Sequence, residues 1–217
     1  MEAIKKFACY DHVRDKQATM RKLIDAVGYI IRTKGYTGLG VNKIARQAGV
    51  DKVLVYRYFT SCEQLIETYV REKEYWRVFS EKLIKPATDD NNDLKEIVTS
   101  ILQNQFDFFF KEKEMQQLIL WGISEKGELR RRIAQARESL FSDLLKRTDT
   151  YFKGSRINFR ILSALLSSGI YYMVLHKDVG EYCGIDLKKE ADREELKHTM
   201  KEVMALVFDE RERVKES

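Results

Sequence analysis

The 217-residue chain contains one proline, Pro86, and eleven glycines. Proline removes a backbone donor and breaks helices, and glycine raises the entropic cost of ordering them, so their scarcity leaves most of the chain free to be helical. Cysteine is scarce too: Cys9, Cys62 and Cys183 are widely spaced, with no CxxC pair. That spacing argues against a disulfide framework or a zinc site and fits free thiols in a reducing cytoplasm. His12, His176 and His198 are equally scattered, so no metal site is expected. There is no glycine-rich phosphate loop and no nucleophile signature, so neither a cofactor nor catalysis is expected. No apolar run reads as long as a membrane span, and Lys5 and Lys6 are not followed by a long apolar segment. Neither a membrane span nor a secretory leader is therefore expected.

What is abundant is charge, at 34% of residues, beside an ordinary hydrophobic share of 44%. The charge is unevenly placed. Residues 1–65 hold twelve Lys and Arg against six Asp and Glu, whereas the remainder holds twenty-seven against twenty-eight. The whole positive excess sits at one end, the distribution expected of a nucleic-acid binder.

That end also carries the most informative pattern, VNKIARQAGVDKVLVYRYFTSCEQL over residues 41–65. Ile44, Ala45 and Ala48 share one helix face, and the alanines allow a second helix to approach closely. Gly49 follows, where a left-handed residue ends a helix most cheaply. Asp51 is a good N-cap for the next segment, and Thr60-Ser61-Cys62-Glu63 reads as a capping box that starts a third. Val55 and Phe59, four apart, point inward, which leaves Lys52, Val53, Tyr56 and Arg57 facing out. Two short helices around a glycine-containing turn make a helix-turn-helix, whose second helix suits the DNA major groove. Upstream, Leu23, Ile24, Val27, Ile30 and Ile31 are at helical spacing, and Gly35-Tyr36 ends that helix with Lys34 in its last turn. Residues before Lys16 read as a frayed arm or as the start of this helix.

The run from Leu23-Ile24-Asp25-Ala26 through Gly35-Tyr36, Val41, Ile44-Ala45, Ala48-Gly49-Val50, Val55-Tyr56-Arg57-Tyr58-Phe59 and Glu63-Gln64-Leu65 resembles the N-terminal DNA-binding domain of the tetracycline-repressor (TetR) family. The resemblance covers roughly residues 15–70 without a gap. It departs from the family at Gly40, where Ser or Thr usually stands, at Val53 and Leu54, often Gly and Ser or Thr, and at Cys62, commonly Lys. Three polar contacts are thus absent or apolar, although an apolar side chain can still read a thymine methyl. The resemblance implies that Lys52, Val53, Leu54 and Arg57 face bases, and that Asn42, Lys43, Tyr56, Tyr58 and the start of the next helix hold phosphates.

Beyond residue 65 the periodicity predicts an all-α chain. The expected boundaries are a helix-turn-helix domain over 1–65, a linking helix over 61–85, and a second domain over 86–217 that starts at the break PATDDNN. Helices are expected from Asp93 to about Lys113, Met115 to Ser124, Glu128 to Phe152, Arg156 to His176 and Leu187 to Arg213. The resemblance implies an effector pocket in this second domain, for which Phe106, Phe110, Trp121, Phe141 and Tyr172 are candidates; the plain alternative is that they are core. Gln103, Asn104, Gln105 and Ser124 are the polar residues nearby. Ile161, Leu162, Leu165, Leu166, Ile170 and Val174 form one apolar stripe, and Leu196, Met200, Val203, Met204, Val207 and Phe208 another. In the family these two helices pair with their twins. The expected function is a ligand-responsive regulator, a repressor that binds double-stranded DNA at a pseudo-palindromic operator as a homodimer and is released by a small, largely apolar effector. The alternative is a helical dimeric module that binds a small molecule or protein without reading DNA.

Overall fold

A computed structural model of the chain describes residues 2–73, 81 and 93–216, with the side chains before Asp15, that of Ala136 and those after Arg213 excepted. The expected break at 86–92, with the domain boundary placed there, and the linking helix beyond residue 73 (apart from residue 81) lie outside the described residues. Among those residues the architecture is all-α, with one isolated bridge, Tyr182 to Ile185. The chain forms two compact units, Met1–Tyr75 with Gln117–Arg130, and Trp76–Gln116 with Arg131–Ser217.

In the first unit, α1 spans Glu2–Lys34, α2 Val41–Ala48, α3 Val53–Phe59 and α4 Cys62–Lys73. Helix α1 begins at Glu2, so the polar N-terminal stretch is the start of this helix. The core collects the predicted faces. Leu23, Val27, Ile30 and Ile31 of α1, Ile44 and Ala45 of α2, Val55 and Phe59 of α3, and Leu65, Ile66 and Tyr69 of α4 are all buried. Gly28 lets α1 approach α4 here: a Cβ on it would meet the Tyr69 ring at 2.7 Å. Gly49 closes α2 in the left-handed conformation, at φ 67° and ψ 34°.

The start of α4 differs from the capping-box reading. Ser61, not Thr60, accepts the Gln64 amide, at 3.0 Å. Thr60 instead sits at φ 64° and ψ −41° between the Phe59 carbonyl and the Ser61 amide, which are 2.6 Å apart. That is a three-residue γ-turn of positive φ, a strained conformation for a β-branched residue. The local pattern allowed either residue as the cap; the tight exit from α3 selects the second.

In the second unit, α5 spans Leu94–Lys111, α8 Ser142–Tyr151, α9 Phe159–His176 and α10 Glu190–Glu216. Two helices are shared by the division into units: α6, Lys113–Ser124, changes unit at Gln117, and α7, Glu128–Leu140, at Arg131. The single helix expected over 128–152 is therefore two. Phe141, at φ −94° and ψ −2°, ends one and starts the other, and its amide reaches back only to Glu138. The apolar periodicity continues across the joint, so it gave no sign of the break. Helix α9 starts three residues later than expected because the Asn158 side chain accepts the Ile161 amide at 3.1 Å and caps it there. Both α9 and α10 pack on α5. Tyr151, Phe152, Phe159 and Phe208 form an aromatic cluster with ring centroids from 4.7 Å apart.

Helix α9 corrects one exclusion. Its 18 residues, at a mean hydropathy of 1.2, are long and apolar enough by length and composition alone to cross a membrane. Ser163, Ser167, Ser168 and Gly169 hide this by interrupting the run without lowering its mean enough.

These contacts set two stability expectations, both read by urea unfolding. Ser61→Ala should lower stability by about 1 kcal/mol through loss of the α4 cap, and Thr60→Gly should raise it by about 1 kcal/mol by relieving the turn. A loss in Thr60→Gly would return the cap to Thr60. Gly28→Ala should destabilise the fold although alanine is the better helix former, because its methyl meets the Tyr69 ring.

Candidate nucleic-acid interface

Seven residues are too few for a helix to hold itself, so α3 takes its orientation from packing. Val55 and Phe59 are at 0% and 4% exposure and anchor one side. The other side is set by the 100° step between residues. Lys52, Val53, Tyr56 and Arg57 are exposed, with Val53 at 61% and Tyr56 at 52%. The Asp51 carboxylate accepts the Val53 amide at 2.8 Å, and the Asp51 carbonyl accepts the Leu54 amide at 3.0 Å. The entry to α3 is thereby held from its own backbone.

Two of the residues suggested for contact are more withdrawn. Leu54 and Tyr58 are half-buried, and the Lys16 ammonium lies 5.8 Å from the centre of the Tyr58 ring. Asn42 and Lys43 are exposed in the first turn of α2, where the Lys43 ammonium donates to the Thr37 carbonyl at 3.3 Å. Gly40 leads into α2 with no side-chain cap. Arg46, exposed in the last turn of α2, adds a cation to this unit that the reading of candidates passed over. Its signal was present: it lies two positions from Ile44 and so off the buried face.

One tie within the unit had no local signal at all. The Tyr36 amide donates to Gln117 Oε1 at 3.3 Å across 81 positions of sequence. Gly35, at φ 68°, leaves room for it, since a Cβ there would lie 2.5 Å from the same oxygen.

The five effector candidates have different surroundings. Phe106 is fully buried and lies 5.8 Å from the half-buried Phe110, centroid to centroid. Phe141 is half-buried at the α7–α8 joint. Trp121 belongs to the first unit, where its indole donates to Glu125 at 2.8 Å and the Arg130 guanidinium stands 4.8 Å from its ring. Tyr172 is 50% exposed and stacks on His176. Its neighbour Tyr171 is the inward residue: its ring lies 4.8 Å from Phe109 and its hydroxyl accepts from Gln105 Nε2 at 3.0 Å. Ser167 donates to the same Gln105 at 3.5 Å, and Arg137 stands 5.6 Å from the Tyr171 ring. Burial pushes the Tyr171 phenol up, so it stays protonated and able to donate at neutral pH. Gln105 is thus the suggested polar residue that bonds to an inward aromatic, and Tyr171 and Tyr172, one position apart, face differently because one residue turns a side chain by about 100° on a helix. Among the described residues no group of three or more His, Cys, Asp or Glu is placed to hold a metal ion.

Cys62 stands half-buried in the first turn of α4. Burial, and after it the Glu63 carboxylate, pushes its thiol above the ordinary 9.0. In a Cys9→Ser background, iodoacetamide should therefore label the exposed Cys183 first. The labelling rate of Cys62 should still be climbing above pH 9.0, and a plateau below that pH, read by mass spectrometry of the labelled peptides, would show the thiol is not raised.

Comparison with known proteins adds to this geometry. The sequence model for bacterial regulatory proteins of the tetR family matches residues 23–69. No curated protein matches the chain significantly in sequence. Among solved structures, the transcriptional regulator FadR from Bacillus subtilis in complex with stearoyl-CoA is 18% identical, at a TM-score of 0.60 over 85% of this chain and 96% of that one. The fatty acid degradation regulator FadR from Bacillus halodurans is 20% identical, at 0.56 over 83% and 97%. A TetR family transcription regulator from Marinobacter aquaeolei VT8 is 20% identical, at 0.55 over 88% and 97%. At such identities the likeness is one of fold. The matched segment, residues 23–69, contains α2 and α3 and is similar to the helix-turn-helix domain of the tetR family of bacterial regulatory proteins, and the whole chain shares its fold with such regulators.

Proposed function

We propose that the chain is a ligand-responsive repressor, acting in the cytoplasm, that binds a pseudo-palindromic operator as a homodimer and is released by a small, largely apolar effector. The observation that carries the DNA reading is the exposed set Lys52, Val53, Tyr56 and Arg57 above the buried Val55 and Phe59. Cations and a phenol on the outer face of a second helix are the groups that meet base edges and phosphates. Lys43 and Asn42 are the proposed phosphate contacts at α2.

The dimer reading is supported by α9 and α10. Only Phe159, Ile170 and Val174 of helix α9 are buried within the chain despite its apolar composition. Ile161 at 59%, Leu165 at 66% and, on α10, Leu206 at 70% are exposed. An apolar face of this kind is stable in water only when covered, and a second copy related by a two-fold axis covers it with itself. Such an axis also matches two half-sites read by paired α3 helices.

For the effector, the aromatic interior around Phe106, Phe109 and Tyr171, threaded by Gln105 and Ser167, suits an apolar ligand with a polar end. The shared fold with a FadR bound to stearoyl-CoA makes a long-chain acyl thioester the first compound to try. Release requires that the effector bind one dimer geometry better than the other; affinity alone shifts nothing.

The test is a fluorescence-anisotropy titration of the full chain against the DNA flanking its own gene and against random DNA, at two salt concentrations. Selective binding is expected, with a steep salt slope. Arg57→Ala should weaken selective binding by roughly ten- to a hundredfold and leave the circular dichroism unchanged, and stearoyl-CoA should displace the operator. Equal, weak binding to both DNAs would favour the non-DNA module, to which the uncapped Gly40 and half-buried Cys62 lend support. Leu165→Glu should turn a dimer into a folded monomer in analytical ultracentrifugation; a wild-type chain that sediments as a monomer would remove the dimer reading.

A further inference from the structure

The exposed face of α3 contains one residue that no charge or hydrogen-bond argument explains. Val53, in the first turn, is 61% exposed and stands among cations. Lys52 precedes it, Arg57 follows one turn on, and Lys43 and Arg46 are exposed on α2. Valine can neither donate nor accept, so it contributes nothing to a phosphate and cannot distinguish bases by hydrogen bonding. What it presents is a pair of methyl groups. These are held stiffly, because a β-branched side chain in a helix keeps essentially one χ1 rotamer. The backbone beneath them is held as well, since the Val53 amide is bonded to the Asp51 carboxylate at 2.8 Å. A fixed apolar knob set in a basic face is poorly suited to an acidic protein surface, which would leave the methyls against charge. It suits the floor of the major groove, where phosphates flank the walls and thymine alone offers a methyl group. The neighbouring Leu54 is half-buried and less available for that contact.

We propose that Val53 is a specificity-determining residue that reads the 5-methyl group of one thymine in each operator half-site. This rests on the DNA-binding reading above and adds the base that is read and the chemistry that reads it: contact between methyl groups, with no hydrogen bond at that base pair.

The experiment separates the two. Duplexes bound by the full chain are selected from a random pool, and each thymine of the selected site is then replaced singly by deoxyuridine, which removes the methyl and keeps the pairing. Wild-type protein should lose about fourfold in affinity at one thymine per half-site, the factor for one methyl returned to water, and about sixteenfold when both half-sites are changed. In Val53→Ser the penalty at that position should vanish, while in Leu54→Ala it should persist; circular dichroism confirms that both variants fold. A selected site in which no thymine is sensitive to deoxyuridine, or a penalty unchanged in Val53→Ser, overturns the assignment to Val53 while leaving DNA binding intact. A pool that yields no enriched sequence overturns both readings.

Discussion

The burial of Val55 and Phe59 is the constraint on which the DNA-facing half of this protein depends. Helix α3 has no stability of its own at seven residues. Only by committing these two side chains to the core does it acquire a fixed rotation, and the rotation decides which residues meet solvent. Lys52, Val53, Tyr56 and Arg57 form a surface because Val55 and Phe59 do not. Everything around α3 serves that commitment: the Asp51 carboxylate at its entry, the Thr60 turn at its exit, and the Ser61 cap that lets α4 start at once. Small residues on the other helices matter for the same reason. Gly28 brings Tyr69 close to α1, and Gly35 makes room for Gln117 at the end of α1.

The second unit is organised differently. Helix α5 contributes more buried apolar residues than any other described helix of the unit, and α9 and α10 lie on it while keeping much of their own apolar surface outside. Among the described residues the buried amides are hydrogen-bonded. Gln105 serves both Tyr171 and Ser167, while Gln116 donates to the Phe109 and Phe110 carbonyls at the end of α5 and accepts from Lys177 at 2.9 Å. A buried amide left without partners costs about 1–3 kcal/mol, so these pairings restrict how the interior can be rearranged. A ligand entering there has to replace those bonds or use them.

The sequence by itself determined the helical class, the helix-turn-helix and the inward and outward faces of α2 and α3. All of these are local: a period of 3.6 residues, a glycine after α2 and an Asx cap before α3 need no distant partner. It also showed the apolar stripes of α9 and α10, since periodicity reads along a single helix. Only the tertiary structure decided matters that require two segments at once. Tyr171 rather than Tyr172 faces inward because α9 is rotated by its packing on α5, and Trp121 lies in the first unit because the end of α6 and the start of α7 group with the N-terminal helices rather than with α5. Gln117 meets Tyr36 across 81 positions, a bond that no window of sequence contains. The split of one expected helix at Phe141, and the choice of Ser61 over Thr60 as cap, belong to the same class. Periodicity tells a residue which face it shares, but the direction in which that face points is set by what packs against it.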